Sequence, residues 1–238
     1  KAKPWRPDGI VDAKDTWDIL TTEVKNQTKD YPWEHINKFI GGISRGQLTT
    51  ITAGTGIGKS LFTRELAYSL LQQGETIGYV ALEENIKRTV QGFCSISLDL
   101  PLHLSPDSVS REQLREAWEA TCGSGRLYLY DSFGSMETSN LLSRIRYLNK
   151  SLGCSFIVLD HISIVVSGLE SDNERKAIDI VMTKLRSLVE ETGIGLILVS
   201  HLKRLQGDKS HEDGAVTSIS HLRGSASIGQ LSDKIVSL

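Results

Sequence analysis

The segment that most constrains the fold of this chain is a glycine-rich run, Ala53-Gly54-Thr55-Gly56-Ile57-Gly58-Lys59-Ser60. A short apolar run with strand character ends just before it, and a segment with helical spacing begins just after it. Glycines let successive backbone N–H groups curl around phosphate oxygens, and the N-terminus of the following helix adds a positive partial charge. A plain glycine-rich turn would not explain why a lysine and a serine follow at the helix start. The run therefore predicts a strand, a loop and a helix that together bind nucleotide phosphates.

Two side chains of this loop have predicted roles of their own. Lys59 is expected to reach the β- and γ-phosphates of a nucleoside triphosphate, and the Ser60 hydroxyl is expected to ligate Mg²⁺. Ala53 stands where the strict pattern has glycine, which is tolerable if its φ is negative, as at a strand end. The sequence identifies no residue that contacts the base, so ATP and dTTP are both open as substrates.

The rest of the chain alternates short apolar runs with longer segments of helical spacing. The runs predicted to form strands are Leu48 to Thr52, Thr76 to Leu82, Leu127 to Tyr130, Ser155 to Leu159, Ile194 to Val199 and Lys234 to Leu238. Ser110 with Gln113 has capping-box spacing, and Asp172 is expected to cap a long helix that ends near Thr192. Strands that alternate with helices favour an α/β fold whose mainly parallel, twisted sheet is covered by helices on both faces.

Length and composition restrict the class of protein further. The 238 residues suit one large domain with a short appendage, and 39% hydrophobic with 24% charged residues are ordinary globular values. No apolar run approaches the roughly 20 residues that span a bilayer, so we expect a cytoplasmic protein without membrane contact. Cys94, Cys122 and Cys154 are widely spaced, which argues against a disulfide framework and predicts buried thiols. Neither they nor the histidines other than His201 show the spacing of zinc ligands.

Two predicted strands end in acidic residues. Because ligands of an open parallel sheet bind beyond the carboxyl ends of its strands, these acids are expected beside the phosphate loop. Asp160 ends the run Phe156 to Leu159 and is the predicted metal-side carboxylate, with a capping Asp in the next turn as the alternative. Glu83 and Glu84 follow another run, and since side chains alternate along a strand, only one of them can activate the attacking water. Glu83 is the preferred residue, and a surface acid at a helix start is the alternative.

A histidine and a basic loop follow the predicted strand Ile194 to Val199. His201 is positioned to hydrogen-bond a γ-phosphate and sense its loss, although a lone histidine at a strand end also serves structural hydrogen bonds. The loop beyond it is long and polar, and Lys203, Arg204 and Lys209 are its candidate DNA contacts. A solvated surface loop is the alternative. The net charge of −2 gives no overall attraction to nucleic acid, so any DNA contact must be local.

Five motifs occur in a specific order: AGTGIGKS, ALEE, FIVLDHISIVV, VSHLK and HLRGSASIGQLSDKIV. With this set the chain, from about Phe39 onward, resembles the replicative hexameric helicases of the DnaB-like group. It is most similar to the helicase half of the bifunctional primase-helicases of short-tailed phages. The resemblance implies a RecA-like motor that hydrolyses ATP or dTTP with Mg²⁺. It also implies a hexameric ring that moves 5′ to 3′ on single-stranded DNA and unwinds a replication fork, in an infected host's cytoplasm or an equivalent compartment.

The resemblance also implies roles for individual residues. In the family, the roles predicted above belong to the positions of Lys59, Ser60, Glu83, Asp160 and His201. Arg223 and Gly224 are implied to line the DNA channel together with the basic loop, and Gln230 is implied to approach the nucleotide. Gly229 departs from the phage pattern, which carries an arginine just before that Gln. The family's arginine finger, which reaches a neighbour's γ-phosphate, is expected beyond Leu238.

The resemblance further divides the chain into two parts. Residues 1–38 are interpreted as an arm similar to the family's linker, whose helix packs on the adjacent subunit, and residues 39–238 as the motor domain. A short amphipathic helix is predicted from Asp15 to Val24. The arm's tryptophans, Trp5, Trp17 and Trp33, are then expected to anchor a subunit interface. A primase domain and other replisome proteins are the implied partners beside single-stranded DNA.

Two other functions share this fold and its nucleotide chemistry. A strand-exchange recombinase would form filaments on DNA, whereas a helicase would form rings and unwind forks. A regulatory RecA-like module would bind nucleotide as an assembly switch and would not depend on a water-activating Glu83. From the residues alone, both functions stay open beside the helicase.

Overall fold

The structure, a computed structural model, describes residues 12–17, 28–131, 137–165, 171–203, 211, 215–222 and 226–238. The strands in these ranges are β1 Thr28–Lys29, β2 Ile43–Ser44, β3 Leu48–Ala53, β4 Ile77–Ala81, β5 Leu127–Leu129, β6 Phe156–Asp160, β7 Gly195–His201 and β8 Lys234–Ser237. The α-helices are α1 Glu34–Ile40, α2 Lys59–Gln72, α3 Ile86–Leu98, α4 Arg111–Ala120, α5 Thr138–Lys150, α6 Ile162–Val165, α7 Ser171–Thr192 and α8 Ala226–Leu231. Short 3₁₀ turns lie at Ala13–Thr16, Pro106–Ser108, Cys122–Ser124 and Ile219–His221.

Six of these strands form one parallel sheet in the order β5-β4-β6-β7-β3-β8. The strands β1 and β2 form a separate antiparallel pair. Because all six strands run the same way, their carboxyl ends share one edge of the sheet and their amino ends share the other. The predicted α/β class with a mainly parallel sheet is confirmed.

The sheet is buried on both faces, and β6 shows how. All five of its residues are buried. Phe156 and Val158 pack in a cluster with residues of α2 and α3, whereas Ile157 and Leu159 pack in a second cluster with residues of α5 and α7. Alternate side chains of a strand point to opposite faces, so helices on both sides require a continuous apolar run. Fully burying one such side chain contributes about 1.5–3 kcal/mol.

The observed elements agree closely with those expected. Each sheet strand begins and ends within two residues of its predicted run. The capping box of α4 is present, with the Gln113 amide donating to Ser110 Oγ at 3.2 Å and the Ser110 amide donating to Gln113 Oε1 at 2.8 Å. The predicted cap at Asp172 is wrong, because α7 begins at Ser171 and already includes Asp172. Among the described helices, none is long and apolar enough to cross a bilayer.

The three cysteines are free thiols. Cys94 and Cys154 are buried, as predicted, and Cys122 is partly buried. Burial raises the pKa of Cys154 to about 12 and that of Cys122 to about 11. All three thiols are therefore protonated at neutral pH and act as small apolar side chains.

The start of the chain is only partly described. Residues 13–17 contain a 3₁₀ turn, and the rest of the helix predicted from Asp15 to Val24 lies outside the described residues. Trp17 is 67% exposed, and Trp5 also lies outside the described residues. Trp33 stacks on Phe62 with ring centroids 4.1 Å apart, so it packs within its own chain and not as the expected interface anchor. The helix α1 runs through the predicted boundary between residues 38 and 39.

At the amino edge of the sheet, a buried carboxylate ties the β1–β2 pair to the core. Glu75 is 3% exposed and accepts hydrogen bonds from Arg45 at 2.5 Å, from Lys29 at 3.1 Å and from Ser155. Burial alone would raise the pKa of Glu75, but the bonds from Ser155, Arg45 and Lys29 outweigh it, so the pKa lies below its usual value. The carboxylate is therefore ionised and structural.

We predict that Glu75→Gln lowers the free energy of unfolding by about 1–3 kcal/mol at neutral pH, because it leaves buried donors with a weaker acceptor. A carboxyl whose pKa is lowered in the folded state stabilises the protein above its unfolded pKa and loses that effect as pH falls through the folded pKa. The gap between wild type and variant, measured by urea unfolding, should therefore narrow as pH is lowered from about 5.

The matched control is Glu119→Gln, since Glu119 pairs with Arg115 on an exposed helix surface where both side chains are more than half exposed. We expect this change to cost less than about 0.5 kcal/mol at any pH. A gap for Glu75→Gln that stays constant or widens in acid would contradict the structural role of its charge.

Candidate active site

The predicted site residues converge at the carboxyl edge of the parallel sheet. The register pairs Ala81 with Asp160 at the ends of β4 and β6, and Ala53 with His201 at the ends of β3 and β7. The strands β6 and β7 are neighbours, so Asp160 and His201 end adjacent strands, as the simplest strand order predicted. The phosphate loop, the acidic residues and the histidine thus share one edge.

The loop between β3 and α2 has the backbone geometry of a phosphate cradle. Gly56 and Gly58 have φ values of 78° and 103°, in the region that other residues rarely adopt. No atom lies within 4 Å of the position that a Cβ would take on either glycine. Backbone conformation rather than crowding therefore requires glycine here, and the space beside the loop is open to a ligand. Ala53 has no positive φ, which meets the condition for alanine at that position.

Lys59 is the first residue of α2 and is 7% exposed. Its ammonium donates hydrogen bonds to the carbonyl oxygens of Gly54 at 2.7 Å and Ala53 at 3.1 Å. These bonds hold the positive charge on the loop, next to the N-terminus of α2. A phosphate oxygen arriving there meets a cation that is already oriented, at a helix end that also favours negative charge.

Ser60 and Asp160 form the metal side of the site. The Ser60 side chain hydrogen-bonds the Asp160 carboxylate, and Asp160 is 5% exposed. Burial raises the pKa of Asp160 above its usual value, although the hydrogen bond from Ser60 acts in the opposite direction. A cation bound here would offset the cost of burying the negative charge. A hydroxyl and a carboxylate are the hard oxygen ligands that Mg²⁺ prefers, so the two residues fit this ion.

The adjacent acids Glu83 and Glu84 have opposite environments. Both oxygens of Glu84 accept from the Arg64 guanidinium, at 2.6 and 2.5 Å, and Oε1 also accepts from Thr89 Oγ1 at 2.8 Å. Arg64 and Glu84 are each only 12% exposed. Glu83 is 50% exposed and lines a cleft of about 310 Å³ together with Ser60 and Asp160. Glu84 is therefore fixed by a guanidinium, whereas Glu83 is accessible to water.

Two histidines surround Glu83. His161 directly follows Asp160, is 6% exposed, and contacts Glu83 Oε1 through Nε2 at 2.6 Å. Its ring meets that of His201 edge to face, with centroids 4.1 Å apart. One ligand-type atom from each of Glu83, His161 and His201 lies within 4.8 Å of the other two. The water-accessible carboxylate and the end of β7 are thus in one cluster.

The predicted DNA contacts lie mostly outside the described residues, which exclude Arg204, Lys209, Arg223 and Gly224. Lys203 is exposed, and its amide and ammonium donate to the carbonyls of His221 and Ser220 at 2.7 and 3.1 Å. Leu202 and Leu222 form an antiparallel bridge. The residues that precede the two predicted DNA-contact segments therefore lie side by side. Gln230 is exposed on α8, and its approach to the nucleotide stays a prediction.

The family model of the DnaB-like helicase C-terminal domain matches residues 31–238 of this chain. The chain belongs to the DnaB-like helicase family. It is also 36% identical to the DNA helicase/primase of Enterobacteria phage T3 over 246 aligned residues, which cover 100% of this chain and 44% of that protein. Both findings confirm the resemblance that the motifs predicted. This DnaB-like chain spans less than half the length of that relative.

Solved structures confirm the RecA-like fold of the DnaB-like chain. A DnaB-like replicative helicase, solved in a study of its interactions with primase, superposes with a TM-score of 0.74 at 17% identity. That match covers 96% of this chain and 56% of that one. A second solved structure, an isolated ATPase domain, superposes with a TM-score of 0.75 at 16% identity, covering 98% of this chain and 84% of that one.

Two residues of this DnaB-like site were missed from sequence. Arg64 lies on α2, and nothing in its spacing indicates that it meets Glu84, 20 positions away. His161 lacks the spacing of a metal ligand, yet it directly follows Asp160 at the predicted strand end. That adjacency was the available signal, because a residue beside the metal-side carboxylate must also lie at the carboxyl edge.

The contrast between the two acids predicts different effects on stability. Glu84→Gln should lower the free energy of unfolding by about 1–3 kcal/mol, because it weakens buried bonds to Arg64 and Thr89. Glu83→Gln should change it by less than about 0.5 kcal/mol, because the side chain is half exposed and the amide oxygen still accepts from His161. Urea unfolding of both variants measures the difference. Equal destabilisation by the two changes would contradict the assignment of Glu84 as the structural acid.

Proposed function

We propose that this chain is the nucleoside-triphosphate-driven motor of a replicative DNA helicase. The observation that carries the proposal is the meeting of the phosphate loop, Ser60, Asp160 and the accessible Glu83 at one edge of the sheet. Membership of the DnaB-like helicase family supports a helicase over a strand-exchange recombinase. A module that only bound nucleotide would not need a water-accessible carboxylate beside the metal-side residues.

The loop residues 53–60 bind the triphosphate in this proposal. Backbone N–H groups and Lys59 neutralise charge on the phosphates, and Ser60 and Asp160 hold Mg²⁺. When bound, the ion neutralises charge that develops on the phosphate oxygens. Glu83 takes a proton from a water in the cleft and directs it at the γ-phosphorus. Glu84 does not compete for this water, because Arg64 occupies both of its oxygens.

The coupling to DNA runs along β7. His201 ends this strand beside the phosphate loop, and Lys203 follows two residues later. A γ-phosphate that binds or leaves next to His201 changes the hydrogen bonds at the strand end. The bridge between Leu202 and Leu222 would transmit this change to both predicted DNA-contact segments. Lys203, Arg204, Lys209 and Arg223 grip the phosphates of single-stranded DNA in this account.

The assembly we propose is a ring of identical subunits with a nucleotide between neighbours and single-stranded DNA in the channel. The name of the phage T3 relative combines helicase with primase, and the structural relative was studied with primase. A primase domain or a separate primase is therefore the proposed partner of the motor. Translocation from 5′ to 3′ follows from the same resemblance.

The test of the proposed function is hydrolysis by Glu83→Gln in the full-length protein with forked DNA. We expect kcat for the DNA-stimulated reaction to fall by about 10²- to 10⁴-fold, the usual contribution of a general base. Nucleotide affinity should be unchanged, and fork unwinding should disappear in parallel. Lys59→Ala, by contrast, should weaken nucleotide binding itself. Wild-type turnover in Glu83→Gln would contradict the water-activating role.

The proposed DNA-binding role of Lys203 predicts a change in salt dependence. Lys203→Ala should weaken binding to single-stranded DNA and reduce the slope of log K against log salt by about 0.7 for each phosphate that is no longer neutralised. The control is Lys150→Ala, because this exposed lysine ends the helix before β6 and therefore lies toward the amino edge. Fluorescence anisotropy at several salt concentrations measures both. Identical slopes for wild type and Lys203→Ala would contradict a role for Lys203 in DNA binding.

A further inference from the structure

We propose that His161 is a positioning residue, which holds the Glu83 carboxylate in the orientation that activates water. This inference rests on the proposed function, in which Glu83 is the water-activating residue. Glu83 is half exposed, so solvent alone would leave its carboxylate free to rotate. His161 is buried and rigidly placed, and its Nε2 lies 2.6 Å from Glu83 Oε1. A general base must point at the proton that it removes, and a fixed partner supplies that direction.

The hydrogen bonds of His161 determine its tautomer. The Ser163 backbone N–H donates to His161 Nδ1 at 3.1 Å, so Nδ1 carries a lone pair and no proton. The proton of the neutral imidazole must then be on Nε2, where it is donated to Glu83. The chain itself, through the first turn of α6, therefore orients the ring and selects its donor nitrogen.

A neutral donor suits a base better than a cation does. Arg64 grips both oxygens of Glu84 with a positive charge and leaves no oxygen for water. His161 contacts one oxygen of Glu83 through a neutral N–H, which orients the carboxylate without the strong charge pairing that would reduce its basicity. The second oxygen is then available to the water. The two neighbouring acids thus differ in function because their partners differ in charge.

The same three residues do not have the geometry of a transition-metal site. Two ligands of one tetrahedral zinc ion are about 3.3 Å apart, given metal–ligand distances near 2.0 Å. Glu83 and His161 are 2.6 Å apart, which is a hydrogen-bond distance. A metal on His161 Nε2 would also require a proton on Nδ1, where the Ser163 N–H already points. The arrangement is therefore a donor and acceptor pair.

His201 gives the pair a second consequence. Its ring packs edge to face against His161 on the neighbouring strand. A movement of His201 on loss of the γ-phosphate would press on the group that orients Glu83. His161 therefore lies between the proposed sensor and the proposed water-activating residue.

The test compares three substitutions of His161 in the full-length protein. His161→Gln carries an N–H donor at about the reach of Nε2, His161→Asn carries one that is too short, and His161→Leu carries none. We expect DNA-stimulated kcat to fall by about 10- to 100-fold in His161→Asn and His161→Leu, the size typical of groups that orient a functional side chain. KM and the Kd of a fluorescent triphosphate analogue should stay within about twofold of wild type, and His161→Gln should recover most of kcat.

A second comparison separates this inference from the function on which it rests. In the Glu83→Gln background, His161→Leu should cause no further fall in kcat, because both changes act through one group. If Glu83→Gln alone keeps wild-type turnover, the water-activating role fails. If Glu83→Gln is inactive but His161→Leu retains kcat, or His161→Gln is as slow as His161→Asn, only the positioning role fails. Stoichiometric Zn²⁺ binding that disappears in His161→Gln would also overturn it. Should His161→Leu not fold, the Gln and Asn variants carry the same comparison.

Discussion

The parallel register of β3, β7, β6 and β4 is the constraint on which the rest of the structure depends. It pairs Ala53 with His201 and Ala81 with Asp160, so four chain segments leave the sheet at the same edge. The strands can lie in the centre of the sheet only because they are apolar along their whole length and buried on both faces. The first polar residues after each strand are then necessarily close together. A fold built from apolar runs thus collects charged groups in one place.

Each charge at this edge has an environment that sets its use. Lys59 is held by loop carbonyls and Glu84 by a guanidinium. Asp160 is buried against Ser60, and Glu83 alone of the two adjacent acids is half exposed. At the opposite edge, Glu75 is enclosed by Lys29, Arg45 and Ser155, and its charge stabilises the fold. The same residue type is structural where cations enclose it and accessible for chemistry where a neutral donor meets it.

Most of the fold and part of the site were predictable from sequence. Apolar runs indicate strands because burial on both faces leaves little room for polar residues, so every strand of the six-stranded sheet was predictable to within two residues. The phosphate loop and Asp160 were predictable because each is adjacent in sequence to the element that positions it. The choice between Glu83 and Glu84 was not decidable from alternation, because both follow the last strand residue, in a bend. Arg64 decides it, and a contact across 20 positions leaves no periodic signal.

The central claim is that Glu83, oriented by its neighbours, activates water opposite the phosphate loop. The most direct measurement is a structure of the full-length ring with Mg²⁺ and a non-hydrolysable triphosphate, at a resolution that shows ordered waters. The account predicts a water about 2.6–3.2 Å from one Glu83 oxygen and facing the γ-phosphate, with the other oxygen on His161 Nε2. It also predicts that Glu84 stays on Arg64. A water held instead by Glu84, with Glu83 turned away from the phosphate, would contradict it.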